Sequence, residues 1–300
     1  MLLPQSASAC FRRLLVVLLT LLGWHDIASA TELPCIYALG DSLTAAYAPE
    51  LAAIVGAGRV VDGGLGGQAS PSIAARAGAR PIRVTLAGNA IPASGTVAVD
   101  RIAPELLAFA GNRATLSGAI AGISGTMIWQ RGEGYSFQRS KPGAAMAAGP
   151  SSAFVVDASD VEDCTLLLWA GRNNYRDTAG IIGDIFRTMD LWKKRGQPAY
   201  IISIIDGVDE GRGTAAYQAI TRLNGEIEKR YPDQYVDVRR WLIDEAPRAM
   251  SLTLSPQGIK DTAVDTVPTD LRKDGIHLTP ATNRALAQFL AEKLKLGQVQ

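Results

Sequence analysis

The chain of 300 residues contains two histidines, His25 and His277. His25 lies in an apolar amino-terminal stretch, so a nucleophile that needs an imidazole base must use His277. Asp274 stands three residues earlier, in Asp274-Gly275-Ile276-His277. On a turn, that spacing lets the carboxylate accept the imidazole proton, fix its tautomer and stabilise the imidazolium. Ser42 stands in Gly40-Asp41-Ser42-Leu43-Thr44, directly after the apolar run Cys35-Ile36-Tyr37-Ala38-Leu39. A serine hydroxyl beside a histidine is a nucleophile for acyl transfer. Taken singly, a lone histidine is more often structural, and a serine before a helix is by default its cap. Taken together, the three types supply nucleophile, base and orienting acid. No Gly-x-Ser-x-Gly elbow occurs, so the ordinary α/β-hydrolase arrangement is not supported.

These residues need a scaffold that brings them together across the chain. Residues 35–39 read as a buried strand entering a tight turn, and residues 44–55 as a helix that Pro49 disturbs. Arg59 to Val61 is a second short strand, leading into Asp62-Gly63-Gly64-Leu65-Gly66-Gly67. From Thr165 the pattern returns: a strand, then a helix over 178–195 with Ile181, Ile182, Ile185, Met189 and Trp192 at helical spacing. A strand over 200–205, a helix over 214–229, a fifth strand over 235–243 and a last helix after Thr279-Pro280 follow. Apolar strands alternating with helices predict an α/β fold, a parallel sheet covered on both faces. Residues 78–158 break this pattern. The segments 82–86, 96–99, 114–120 and 126–129 are short and partly alternating, 101–110 reads as a short helix, and half of the thirty glycines fall between Gly63 and Gly149. This predicts a β-rich insertion within a domain made of residues 31–77 and 159–300.

Four short blocks stand in order along that scaffold. Gly40-Asp41-Ser42-Leu43, Gly67, Gly171-Arg172-Asn173-Asn174 and Asp274-Gly275-Ile276-His277 together resemble the SGNH (GDSL-type) hydrolase family over residues 35–75 and 160–295. The resemblance implies a three-layer α/β/α flavodoxin-like sheet of order 2-1-3-4-5. It implies Ser42, Asp274 and His277 as catalytic triad, and the backbone N–H groups of Ser42 and Gly67 with the Asn173 amide as oxyanion hole. Asn174 stands where the family has aspartate, and Arg172 fills a variable position; with Asp41, they are candidate substrate contacts, although Arg172 can equally point to solvent. Carried over, the sheet order makes the strands after Cys35 and Cys164 neighbours, which implies a disulfide between those two cysteines.

The function expected from this resemblance is removal of short acyl groups, above all O-acetyl, from a saccharide or cell-wall polymer. The same triad also serves a lipid esterase, a thioesterase or an acyltransferase, and a fold kept as a glycan-binding module with an idle triad is the alternative of a different class. Arg12 and Arg13, the apolar run Leu14 to Leu22 and Ala28-Ser29-Ala30 read as a signal peptide over residues 1–30, with export to the periplasm or the medium. The run is too short for a spanning helix, and Cys10 precedes it where a lipid-anchored cysteine would follow, so no stable membrane anchor is expected after cleavage. Of the 30 basic and 29 acidic side chains, Arg12, Arg13 and Asp26 fall in that segment, leaving a neutral remainder. Neutrality and the lack of a basic block disfavour nucleic-acid partners. One histidine and two distant cysteines offer no metal-ligand spacing, and Gly63 to Gly67 lacks the lysine and serine or threonine of a phosphate loop, so neither metal nor cofactor is expected.

Overall fold

The computed structural model describes residues 35–108 and 111–296, and the expected signal peptide lies outside them. Among the described residues, no helix is long and apolar enough to cross a membrane. The chain opens with β1 (Ile36–Gly40), α1 (Ser42–Val55), β2 (Val60–Gly64) and α2 (Ser70–Arg76). It continues through β3 (Ile82–Leu86), β4 (Ala90–Ile91), β5 (Thr96–Ala103), β6 (Arg113–Ile120), β7 (Ile123–Gln130), β8 (Gly134–Arg139), β9 (Met146–Ala147) and β10 (Ser152–Val156). It closes with β11 (Thr165–Trp169), α3 (Thr178–Arg195), β12 (Ala199–Ile202), α4 (Ala215–Arg230), β13 (Tyr235–Val236), α5 (Val238–Asp244), α6 (Ala246–Ala249), α7 (Pro256–Ala263) and α8 (Pro280–Lys293).

Five strands form a parallel sheet in the order β2-β1-β11-β12-β13. Numbered within the sheet, that is 2-1-3-4-5. Both faces are covered because β1 and β11 are buried at every position, so alternate residues must find partners on opposite sides. Ile36, Ala38, Leu167 and Trp169 pack with Tyr47 and Leu51 of α1, Trp241 of α5 and Leu286 and Leu290 of α8. Tyr37, Leu39, Leu166 and Leu168 pack with Ile73 of α2, Ile181, Ile185 and Trp192 of α3 and Ile220 and Leu223 of α4. At about 25 cal/mol per Å² of apolar surface, these two interiors are the main driving force for folding.

The insertion is a closed antiparallel barrel in the order β10-β3-β5-β8-β7-β6. Its interior is filled by Ile82, Val84, Leu86, Ile120, Met127, Phe137 and Phe154. Gly118 and Gly125 stand opposite each other on β6 and β7. A Cβ on either would fall 2.4 to 2.5 Å from its nearest neighbours, which include Phe154 at Gly118 and Phe137 at Gly125. Only glycine leaves room for those rings. Residues 101–103, expected to be helical, instead extend β5, because the strand's pairing with β3 continues through Ala103.

The fifth strand, expected over 235–243, is only Tyr235–Val236. Pairing stops at Val236, the Asp237 carboxylate accepts the Arg240 N–H, and the chain turns into α5. Val238, Trp241 and Leu242 are all buried, a helical spacing hidden in a short apolar run that suits either structure. At the opposite end of the sheet, register pairs Ile36 with Thr165, and the preceding Cys35 and Cys164 are joined by a disulfide.

Candidate active site

Ser42 is the first residue of α1, directly beyond the carboxyl end of β1. Asp41 caps the helix, its Oδ1 accepting the Leu43 N–H at 2.9 Å. That leaves the hydroxyl at a helix N-terminus, whose unpaired N–H groups favour negative charge. The end of β1 packs this closely against α1 and β11 only because residue 40 is glycine: a Cβ there would lie 2.1 Å from Thr44 Oγ1 and 2.5 Å from the Trp169 carbonyl. His277 reaches this point from a loop 235 residues later, with Nε2 2.9 Å from Ser42 Oγ. Its Nδ1 lies 2.9 and 3.1 Å from the two carboxylate oxygens of Asp274.

The loop that presents His277 is closed on itself and tied to its neighbours. Lys273 N–H donates to the His277 carbonyl at 2.8 Å, and Arg272 pairs with Leu278. The Gly275 carbonyl accepts from Val208 N–H at 2.8 Å and from Arg272 at 3.1 Å. Asp274 Oδ1 takes the backbone N–H groups of Ile276 and His277 at 2.9 and 2.8 Å. Those backbone bonds hold its carboxyl well below the usual carboxylate range, with the imidazole adding to the effect. Asp274 is therefore anionic near neutral pH, placed to balance a positive charge on the imidazole.

The cleft beside Ser42 is also lined by Gly67, in the turn after β2, and Asn173, on the single helical turn Arg172–Asn174 after β11. Its volume is about 390 Å³, and Ser42, Leu43, Arg172, Tyr175, Ile276 and His277 complete its lining. Asn173 Nδ2 donates to Asp41 Oδ2 at 3.1 Å and to the Gln68 carbonyl at 2.9 Å. Gln68 is buried and donates through Nε2 to the Leu106 carbonyl in the segment leaving β5. Its Oε1 accepts from Arg76 Nε at 2.8 Å, and Arg76 Nη2 reaches the Gly40 and Gly63 carbonyls at 3.0 and 2.8 Å. One buried guanidinium thus ties together the strand ends that carry Ser42 and Gly67.

Arg172 faces the cleft, paired with Glu210 at 2.8 Å and lying over the Tyr175 ring at 5.0 Å. Asp41 and Asn174 do not face it, contrary to the expectation of substrate contacts. Asp41 is 2% exposed and spends its oxygens on Leu43 and Asn173. Asn174 exchanges two bonds with Ser70, whose hydroxyl donates to Asp184 at 2.8 Å. Sequence reasoning missed Gln68, Arg76, Tyr175, Ile276 and Glu210. Arg76 left a signal: it is the one charged residue of α2, a short segment rich in alanine and serine.

The chain matches no protein-family model and no curated protein. Among solved structures it is similar to a crystal structure described as a putative acylhydrolase from Bacteroides fragilis, at 12% identity and a TM-score of 0.47, over 91% of this chain and 97% of that one.

Proposed function

We propose that the protein is an exported serine ester hydrolase of the SGNH (GDSL) kind that removes short acyl groups, chiefly O-acetyl, from a saccharide or cell-wall polymer. The observation that carries this reading is the unbroken path from Ser42 Oγ through His277 to Asp274, with 2.9 Å at each junction. His277 Nε2 takes the hydroxyl proton as Ser42 attacks the ester carbonyl. The tetrahedral oxyanion is met by the N–H groups of Ser42 and Gly67 and by the Asn173 amide, donors that contribute about 2.7–4 kcal/mol each when placed for the transition state. His277 then passes the proton to the departing alcohol, leaving an acyl-Ser42. Water attacks that acyl-enzyme with His277 as base, which releases the acid and restores the hydroxyl.

The preference for a short acyl group is supported by a cleft of about 390 Å³, near the low end for small-molecule sites. Arg172 and Tyr175 on its wall suit the oxygens and ring face of a sugar. Export is supported by the Cys35–Cys164 disulfide, a bond that persists in oxidising compartments. Chromogenic esters of increasing chain length test the reading. The acetyl ester is expected to give the highest kcat/KM, and Ser42→Ala to lower kcat by at least about 10⁴-fold. A preference for octanoyl esters would replace the short-acyl reading with a lipid esterase, and full activity in Ser42→Ala would make the triad idle.

A further inference from the structure

We propose that Asp41 is a positioning residue that holds the Asn173 amide where it can meet the oxyanion, without taking part in the chemistry itself. The proposal rests on the reading of Ser42 as nucleophile. Asn173 is the one exposed residue of its single helical turn, where an unheld side chain would wander among rotamers and lose that freedom each time it bound an oxyanion. Its amide has two hydrogens, and both are held: one by the Gln68 carbonyl at 2.9 Å, the other by Asp41 Oδ2 at 3.1 Å. A carbonyl and a carboxylate accept and do not donate, so these neighbours dictate which end of the amide is nitrogen.

Asp41 is suited to this task by its place in the chain. One oxygen caps α1 through Leu43 and the other reaches Asn173, so a single buried carboxylate couples the helix that carries the nucleophile to the turn that carries the donor. Bonds to a charged acceptor are stronger than neutral ones, which suits a clamp on an exposed side chain. Both bonds stay in place as the oxyanion develops, which shares an amide hydrogen with its present acceptor in a three-centre bond, so the Asp41 clamp is still closed when the charge forms.

A double-mutant cycle tests this. Asp41→Ser keeps a hydroxyl at the cap for the Leu43 N–H but is too short to reach Asn173. It is expected to lower kcat about 10-fold, below the full loss of an oxyanion donor, with KM within twofold. In an Asn173→Ala background the same change is expected to alter kcat less than twofold. Equal losses in both backgrounds, an effect on KM alone, or wild-type kcat in Asp41→Ser would each overturn the proposal. If thermal unfolding shows that Asp41→Ser does not fold, Asp41→Asn enters the same cycle, since its amide can present an acceptor to Leu43 or to Asn173 but not to both. Ser42→Ala is measured alongside: retained activity there defeats the serine reading and this proposal with it, whereas an inactive Ser42→Ala with additive Asp41 losses defeats the positioning role alone.

Discussion

Two carboxylates beside the Ser42–His277 pair are driven in opposite directions. Asp274, half-exposed and fed by two backbone N–H groups, is held low. Asp41 is pushed up to about 6, first by burial, with the Leu43 N–H, Arg172 and His277 pulling the other way. A carboxyl whose folded pKa is raised binds its proton more tightly in the native state, so its contribution to stability falls as pH rises from the unfolded value near 4 to about 6. Urea unfolding of wild type and Asp41→Asn at pH 4 and pH 7 reads this directly. The stability of wild type relative to the variant is expected to decline between those values by on the order of 2–3 kcal/mol. A difference that stays flat with pH would show that Asp41 is ordinary. At this scale the sequence exposed Ser42, His277 and Asp274, because the side-chain types themselves carry the proposed chemistry. It did not expose Gln68 or Arg76, whose roles come from backbone carbonyls they reach only after folding.

Among the elements, a strand was legible where burial on both faces left an uninterrupted apolar run, as in β1 and β11. Helices were legible where one stripe was apolar, as in α3, with Ile181, Ile185 and Trp192 inward. Legibility failed where a run was short. Val238 to Ile243 suits strand or helix by composition alone, and the Asp237 cap decided for helix. Residues 101–103 looked helical in isolation but are held extended by cross-strand partners distant in the chain. The loop that presents His277 is a third case: its closure depends on Val208 and on Arg272, which itself pairs with Asp261 at 3.4 Å. No local pattern in Asp274-Gly275-Ile276-His277 announces those supports.

For the whole molecule, the sheet separates stability from chemistry. The disulfide lies at the amino ends of β1 and β11, and the candidate site residues Ser42 and Asn173 lie beyond their carboxyl ends. The bridge spans 129 residues and encloses the entire barrel. In the chain-entropy model, a loop of about 100 residues contributes roughly 4.7 kcal/mol. A Cys35→Ser/Cys164→Ser variant is therefore expected to unfold on the order of 10 °C lower, with kcat on the acetyl ester within about twofold of wild type because the bond lies far from Ser42. An unchanged Tm would remove the disulfide from the account of stability. A lost kcat at a temperature where the variant is folded would show that the two ends of the sheet are coupled.

The central claim is that Ser42 is activated by His277, and a fluorophosphonate probe measures it. A hydroxyl 2.9 Å from an imidazole that is itself held by Asp274 should be phosphonylated once per molecule. Peptide mass spectrometry is predicted to place the adduct on Ser42, with labelling abolished in Ser42→Ala and slowed by about 10³-fold or more in His277→Ala. Folded protein that takes up no probe, or takes it up equally well without Ser42, would contradict the mechanism.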